Sequence, residues 1–260
     1  MAELVQLQCD DGIATIRLAD PARGNALGPE LTKALGETVD EVAARDDVRV
    51  LRLTGTGPSF CVGGDIRGMH AHADRLPQAI AAGLVPLNAA IQKLHDLPMP
   101  VVSTVNGSLG GGGIGLALTA DLVVATCSAK LRGGYTAIGL VPDVGTSALL
   151  PRRVGEARAR RILFLNEMLD SATCLEWGIY DFVYDDDTYE TRSTALIEAL
   201  ANGATDALIR TKQLLRSAPQ PSLTVQLARE RDAMVAVTGG DEFLEGFSAF
   251  LEKRPPRFRG

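Results

Sequence analysis

The sequence lacks the features that would place the protein in a membrane or on a nucleic acid. No stretch reaches the ~18 consecutive apolar residues of a transmembrane helix. The first residues have neither a basic start nor a following apolar run, so we expect no signal peptide. The formal net charge is −6, with 26 Lys and Arg against 32 Asp and Glu. That balance gives no broad basic surface for DNA or RNA, and we expect neither a membrane nor a nucleic-acid partner.

Cysteine is also scarce. The four cysteines are Cys9, Cys61, Cys127 and Cys174, and they follow no CxxC or metal-ligand spacing. We therefore predict free thiols, no metal site and a cytoplasmic protein. Hydrophobic residues make up 46% of the 260 positions, which is enough for a sizeable core.

Apolar periodicity predicts an α/β core followed by helices. Strands are predicted at Ile13–Leu18, 48–54, Val101–Val105 and 122–125, with an amphipathic helix between the first two. The first half is predicted to run β-β-α-β-α-β, with a loop and then a helix over 65–99. Successive helices are predicted at 189–201, 206–217, 223–237 and 241–252, and a capping box at Thr173 to Glu176. We divide the chain into a core over 1–195 and a helical region over 196–260, which we expect to pack on neighbouring subunits.

Two glycine-bearing segments are the clearest candidates for a binding site. Ser59 to Asp65 reads SFCVGGD, and Gly110 to Gly113 are four successive glycines between a strand and a helix-like run. Without a Cβ, a ligand can approach backbone N–H groups closely, and at a helix start these groups carry partial positive charge. A phosphate loop would need a GK[ST] tail or a GxGxxG with an acidic partner, and neither is convincing here. Tight helix packing and a plain β-turn remain as structural alternatives.

Together the two segments resemble the enoyl-CoA hydratase/isomerase (crotonase) superfamily. The resemblance runs over essentially the whole chain and includes Asn25-Ala26-Leu27 and the closing EGFSAFLEKR over 245–254. It implies a crotonase-like ββα spiral core, a helical C-terminal trimerisation region, and a homotrimer or a hexamer. It also implies that the N–H groups of Gly64 and Gly112 form an oxyanion hole for an acyl-CoA thioester. Coenzyme A would then be part of the substrate, with no permanently bound cofactor.

The resemblance further assigns residues to the substrate. The coenzyme A groove is implied at Arg23, Asn25, Ala26, Gly64, Asp65, Ile66 and Arg67, and its nucleotide end at Lys253, Arg254 or Phe258. Tyr135, Leu140, Met69 and the helix over 79–94 are candidates for the acyl pocket. Two of these assignments have simpler alternatives. Asp65 is placed to fix its own loop by accepting backbone N–H bonds, and the basic residues near 253 suit a solvated tail.

The catalytic acid is the informative difference from hydratases. Hydratases of this superfamily carry two glutamates, and the resemblance places Gly115 and Tyr135 at their positions. Neither residue supplies a carboxylate base. Asp143, in Gly-Leu-Val-Pro-Asp over 139–143, resembles the aspartate of the phenylacetate-pathway isomerase branch, as does the stretch 228–232. That branch shifts a double bond or isomerises a ring epoxide, so we predict an enoyl-CoA isomerase with Asp143 as acid and base.

Other interpretations of Asp143 remain open at this point. The residue could be a helix N-cap. The 4-chlorobenzoyl-CoA dehalogenases also have an aspartate at this position, and there it is a nucleophile. If this protein were a dehalogenase or a thioester hydrolase, His70 or His72 would assist Asp143. A hydratase and a non-catalytic acyl-CoA binder are the further alternatives. His95 is expected to be structural or exposed.

Overall fold

The structure, a computed structural model, describes residues 3–70, 73–218 and 221–259. Its ten strands are β1 Val5–Asp10, β2 Ile13–Leu18, β3 Val50–Gly55, β4 Ser59–Cys61, β5 Val101–Val105, β6 Ser108–Gly110, β7 Leu122–Thr126, β8 Lys130–Arg132, β9 Met168–Asp170 and β10 Phe182–Tyr184. Its helices are α1 Pro29–Ala43, α2 Ile66–His70, α3 Leu76–Asp96, α4 Gly112–Leu118, α5 Thr146–Leu165, α6 Ser171–Glu176, α7 Tyr189–Ala201, α8 Thr205–Ser217, α9 Leu223–Val237 and α10 Asp241–Glu252.

The strands form two sheets, and the chain adds strands to them in turn. A large sheet has the order β1-β2-β3-β5-β7-β10, parallel except for the β1–β2 hairpin, and a small sheet has the order β4-β6-β8-β9. Each of the pairs β3–β4, β5–β6 and β7–β8 gives one strand to each sheet and is followed by a helix. This repeated ββα unit confirms the predicted spiral core.

The large sheet supplies the hydrophobic core. β3 and β5 are buried at every position, as expected for parallel strands that are covered on both faces. Helix α1 packs against α3 and turns Leu31, Leu35, Val39 and Val42 inward. The predicted strands at Ile13–Leu18 and Val101–Val105 are confirmed, and β3 begins at Val50 rather than at residue 48.

The small sheet has strands of only three residues, none of which was predicted. Leu109, Leu131 and Leu169 point toward the core and are at most 6% exposed. β8 and β9 are antiparallel, whereas the other pairs of this sheet are parallel. The loops that leave this sheet carry the two glycine segments.

The C-terminal third is helical, with one predicted cap corrected. The N-cap of α6 is Asp170, whose Oδ1 accepts the Thr173 N–H at 2.8 Å, so the capping box at Thr173 was wrong. Helix α7 crosses the predicted boundary at 195 and packs on the large sheet. Within the described residues, no helix is long and apolar enough to cross a membrane. The four cysteines are free.

Candidate active site

Two parallel strand ends of the small sheet bring the glycine loops together. Since β4 and β6 are parallel neighbours, the residues after Cys61 and Gly110 leave the sheet at the same edge. Gly63 has a φ of 95°. A Cβ on Gly63 would lie 2.9 Å from the Gly110 carbonyl oxygen and 3.0 Å from the Gly112 nitrogen. Only glycine therefore lets these two loops touch.

The amide groups of Gly64 and Gly112 are both available to a ligand. Gly112 is the first residue of α4, where an N–H has no partner inside the helix. Gly64 forms a parallel bridge with Leu27, in which Leu27 donates to the Gly63 carbonyl at 2.7 Å. Within the described residues, neither the Gly64 nor the Gly112 N–H donates to a protein acceptor. Both glycines line one pocket, as an oxyanion hole requires, and their role with a thioester stays a prediction.

The pocket has a volume of about 280 Å³ and mostly apolar walls. The apolar lining consists of Val62, Ile66, Met69, Leu109, Ile138, Leu140 and Met168. Tyr135 and Asp143 contribute polar groups beside the glycine amides, and Lys130 and Arg132 contribute cations from β8. A concave, apolar site with a few convergent polar groups is typical of small-molecule binding. The predicted acyl-pocket residues Tyr135, Leu140 and Met69 are in the lining, whereas no residue of 79–94 is.

Asp143 is the one carboxylic acid among the described residues that line the pocket. The Tyr135 hydroxyl donates to its Oδ1 at 2.7 Å, and Thr146 Oγ1 lies 3.2 Å from the Tyr135 oxygen. Burial raises the pKa of Tyr135, so the phenol keeps its proton and acts as a donor. The N-cap of α5 is Gly145, and no side chain caps it. The alternative of Asp143 as a helix cap is therefore wrong.

The backbone after Asp143 is held in an unusual conformation. Val144 has a φ of 51° and Gly145 a φ of 74°. Left-handed backbone is unfavourable for a β-branched residue, and such strain tends to occur at functional sites. The Val144 carbonyl oxygen lies 2.0 Å from where a Cβ on Gly115 would stand. The place of the first hydratase glutamate is thus filled by backbone, and no side chain fits at position 115.

The loop implied to bind coenzyme A lies beside Gly64, but one of its predicted contacts is corrected. Asn25 is fully buried, and its Nδ2 donates to the carbonyl oxygens of Thr56, Ser59 and Phe60. The side chain therefore braces the start of β4 and does not line a groove as predicted. Ala26 is 7% exposed, whereas Arg23 is accessible and pairs with Asp20 at 2.6 Å.

The next residues divide between the loop and the pocket. Asp65 Oδ1 accepts the Gly68 N–H at 3.0 Å, which confirms the alternative that this carboxylate fixes its own loop. Ile66 lines the pocket, whereas Arg67 is exposed outside its lining. His70 is exposed at the end of α2, also outside the lining, and His72 lies outside the described residues.

Two further predicted residues lie away from the pocket. His95 is half-buried in a separate cleft, where burial lowers its pKa. Lys253 ends α10 in a left-handed conformation and does not line the pocket. The following chain is no solvated tail: Arg254 pairs with Glu245 at 2.6 Å, and Arg259 pairs with Asp11 at 2.5 Å. Within the described part of the chain, no group of three His, Cys, Asp or Glu side chains could hold a metal ion.

Sequence reasoning missed several residues of the site. Thr146 supports Tyr135, Val144 fills the space beside Gly115, and the two β8 cations line the pocket. The alternation of Lys130, Leu131 and Arg132 was a possible signal, since residues two apart share one face of a strand. A strand of three residues is too short for that alternation to stand out.

The ββα spiral brings two glycine amides and one carboxylate to a single pocket, and comparisons with known proteins identify the family to which this architecture belongs. The Enoyl-CoA hydratase/isomerase family model matches residues 8–260. The chain is 36% identical to the 1,2-epoxyphenylacetyl-CoA isomerase of Escherichia coli, with 100% of each chain covered. It is 34% identical to a probable enoyl-CoA hydratase of Rhodobacter capsulatus, with 98% of each covered.

Solved structures give the same family. An enoyl-CoA hydratase from a Polaromonas species superimposes with a TM-score of 0.92 at 30% identity, covering 98% of this chain and 99% of that one. The chain therefore belongs to the enoyl-CoA hydratase/isomerase family and has the crotonase fold. The predicted family and fold class are confirmed, and the substrates of the family are acyl-CoA thioesters.

Proposed function

We propose that the protein is an enoyl-CoA isomerase that moves a double bond from C3 to C2 of an acyl-CoA thioester. The observation that carries this proposal is a single carboxyl, Asp143, beside two free glycine amides. The closed space at Gly115 supports it further, since it removes one of the two carboxylates that hold and activate water in a hydratase. One carboxyl is enough for a double-bond shift because it acts first as base and then as acid.

The proposed reaction has two proton transfers at one group. The Asp143 carboxylate takes a proton from C2 of the 3-enoyl thioester, and the electron pair of that C–H bond delocalises into a dienolate. The Gly64 and Gly112 N–H groups donate to the dienolate oxygen, each contributing about 3–4 kcal/mol of transition-state stabilisation. The protonated Asp143 returns the proton to C4, which leaves a 2-enoyl thioester and regenerates the carboxylate. No water and no bound cofactor takes part.

Tyr135 holds the carboxyl for this task. Its hydrogen bond engages Asp143 Oδ1, the oxygen that lies 3.2 Å from where a Cβ on Gly112 would stand. The second carboxylate oxygen then remains for the substrate. We assign Tyr135 as a positioning residue, and its buried, protonated hydroxyl suits that role.

The test is the variant Asp143→Asn with a panel of 3-enoyl, 2-enoyl and aryl-CoA esters. We expect isomerisation of the 3-enoyl esters by the wild-type protein and a loss of about 10²–10⁴-fold in kcat for the variant. Binding of a saturated acyl-CoA ester should be nearly unchanged. Unchanged isomerisation in Asp143→Asn would falsify the assignment.

The same panel separates the other candidates. A covalent acyl or aryl adduct on Asp143 in mass spectrometry would favour a dehalogenase or thioester hydrolase. Water addition to a 2-enoyl ester would favour a hydratase. Tight binding of the esters without turnover would favour a non-catalytic binder. A ring-epoxide ester belongs in the panel, because a relative at 36% identity is named as the isomerase of such a compound.

We also propose that the C-terminal helices join subunits into a trimer or a hexamer. Met234 and Val235 on α9 and Phe250 on α10 are 64%, 66% and 80% exposed. Exposed apolar side chains in this density are a sign of an interface. Light scattering on the purified protein measures the oligomer directly, and a monomer would contradict the proposal.

A further inference from the structure

Thr146 is a buried polar residue to which the proposed reaction gives no task. It is the first residue of α5, and its side chain is fully buried. Among the described residues, the hydrogen-bond partner of its hydroxyl is the oxygen of Tyr135, which lies 3.2 Å away. A Cβ on Gly115 would stand 2.8 Å from Thr146 Oγ1, so the glycine leaves the room that this hydroxyl occupies. A buried hydroxyl costs free energy unless it is hydrogen-bonded, and the bond to Tyr135 meets that need.

The hydrogen bond between Thr146 and Tyr135 has a defined direction. Tyr135 has a single hydroxyl proton, and Asp143 Oδ1 at 2.7 Å is a closer acceptor for it than the Asp143 carbonyl at 3.4 Å. A phenol that donates its proton to a carboxylate can only accept from other groups. Thr146 is therefore the donor, and the bonds form a chain from Thr146 through Tyr135 to Asp143. Burial raises the pKa of Tyr135 and the Thr146 hydrogen bond opposes that rise, as expected for a donor to the phenol oxygen.

The backbone between Asp143 and Thr146 brings both ends of this chain onto one turn. The Thr146 N–H donates to the Asp143 carbonyl at 2.9 Å and closes the turn. Inside the turn, Val144 and Gly145 are left-handed, with φ of 51° and 74°. The Tyr135 hydroxyl lies between the two side chains and contacts both. The strain at Val144 thus accompanies a geometry in which Asp143 and Thr146 hold the same hydroxyl.

We propose that Thr146 positions Asp143 through Tyr135. Its donation to the Tyr135 oxygen prevents the phenol proton from turning toward Thr146 and keeps that proton on Asp143 Oδ1. Neighbouring bonds in such a chain strengthen one another by polarisation. The inference rests on the proposed function only where it gives the carboxyl a task. Because Oδ1 is occupied by Tyr135, Oδ2 takes the proton from C2 and returns it to C4.

The first test compares Thr146→Val with the wild-type protein. Valine has nearly the same shape as threonine but cannot donate, so the Tyr135 hydroxyl loses the group that directs it. We expect kcat for a 3-enoyl ester to fall about tenfold, the size of one lost hydrogen bond, with little change in KM. Thr146→Ser keeps the hydroxyl and should restore most of the kcat. Unchanged kcat in Thr146→Val would overturn the proposal.

The matched control is Thr54→Val on β3. Thr54 is also buried, and its Oγ1 donates to the Thr104 carbonyl at 2.9 Å. Neither residue lines the pocket that contains Asp143. The substitution therefore removes the same atom from the large sheet, and it should leave kcat and KM unchanged.

A double-mutant cycle distinguishes positioning through Tyr135 from a merely structural role. If Thr146 acts through the phenol, Tyr135→Phe combined with Thr146→Val should be no slower than Tyr135→Phe alone. Losses that multiply to about 100-fold in the double variant would overturn the proposal, because Thr146 would then affect catalysis independently of Tyr135.

A third measurement needs no turnover. NMR of protein labelled with carbon-13 at the tyrosine ring carbon that bears the hydroxyl gives one signal for each of the four tyrosines, and Tyr135→Phe identifies the relevant signal. We expect Thr146→Val and Asp143→Asn to shift it, because each changes one hydrogen-bond partner of the phenol, and Thr54→Val to leave it in place. An unmoved signal in Thr146→Val would contradict the proposal whether or not any ester reacts. If the signal moves but no 3-enoyl ester is isomerised, the proposed reaction fails and the positioning of Asp143 by Thr146 stands.

Discussion

Strands β3 and β5 of the large sheet have six and five residues and bury every side chain, whereas the small sheet has three-residue strands and one open face. Asp143 and the free glycine amides belong to segments that border the small sheet. The large sheet carries the hydrophobic core. If the proposed reaction is right, the hydrophobic core and the reacting groups lie on different sheets. Substitutions in one sheet should then change stability and substitutions beside the other should change activity.

Among the substitutions that test this comparison, Gly115→Ala beside the Asp143 loop should have the largest effect. A Cβ there would stand 2.0 Å from the Val144 carbonyl oxygen, so the Asp143 backbone must move. A displacement of about 1 Å in a catalytic group costs roughly 100-fold, and we expect kcat/KM to fall by at least that factor.

Gly83→Ala on α3 is the matched control for this substitution. A Cβ at Gly83 meets nothing within 4 Å, and the helix should gain about 0.5–1 kcal/mol. Activity assays and thermal melts measure both variants. Full activity in Gly115→Ala would show that the Val144 carbonyl can move without displacing Asp143. It would contradict the expectation that this loop controls activity.

On the large sheet, Leu53→Ala should change stability alone. Leu53 on β3 is fully buried, and its truncation should lower the free energy of unfolding by about 2–5 kcal/mol. Urea unfolding measures the loss. Well below the midpoint, kcat and KM should match the wild type. A change of more than about threefold in either, with the protein folded, would contradict the division of roles.

Tyr135→Phe removes one hydrogen bond on the chemical side. The hydroxyl donates to Asp143 at 2.7 Å, so we expect kcat to fall about tenfold with little change in KM. Tyr184→Phe on β10 of the large sheet removes the same atom away from the site and serves as control. A rise in KM with unchanged kcat would mean that Tyr135 binds substrate and does not position the acid.

The smallest effect concerns the turn between β7 and β8, where the two sheets are joined. Asp186 accepts hydrogen bonds from the Thr126 hydroxyl and from the Ser128 N–H at 3.2 Å. These bonds lower the pKa of Asp186 to about 2. Because the pKa is lower in the folded state, this contribution to stability is complete above the ordinary aspartate pKa and is lost as the pH falls through about 2.

Asp186→Asn tests this joint between the sheets. The variant should be less stable than the wild type near neutral pH, and its melting temperature should fall less between about pH 5 and pH 2.5. Thermal melts at both pH values measure the difference. An identical acid-induced fall in both proteins would show that the turn contributes nothing at this joint.

The sequence predicted the four central strands of the large sheet and the C-terminal helices because their apolar patterns are long, but it missed the edge strands β1 and β10. Helices α7, α9 and α10 begin and end at the predicted residues. The small sheet was missed because three residues show no reliable period. The left-handed backbone of Val144 was unforeseeable, since its type disfavours that conformation.

The candidate site was only partly predictable for the same reason. Gly64, Gly112 and Asp143 came from a resemblance of motifs, and the structure brings them into one pocket. Asn25 was assigned to ligand contact because a sequence does not reveal which side chains are buried. In the structure its amide donates to three backbone carbonyl groups inside the loop. The bond between Tyr135 and Asp143 depends on how the segment between them folds back.

The contact between the Val144 carbonyl and Gly115 also limits which activities lie within reach of the present chain. A change of codon at position 115 cannot supply a water-activating acid, because the loop behind it has already taken the volume. A protein engineer who wants water addition from this scaffold must first rebuild residues 143–146 and only then introduce the acid. Evolution by single substitutions would first produce variants with a displaced backbone at residues 143–146, before any of them could add water.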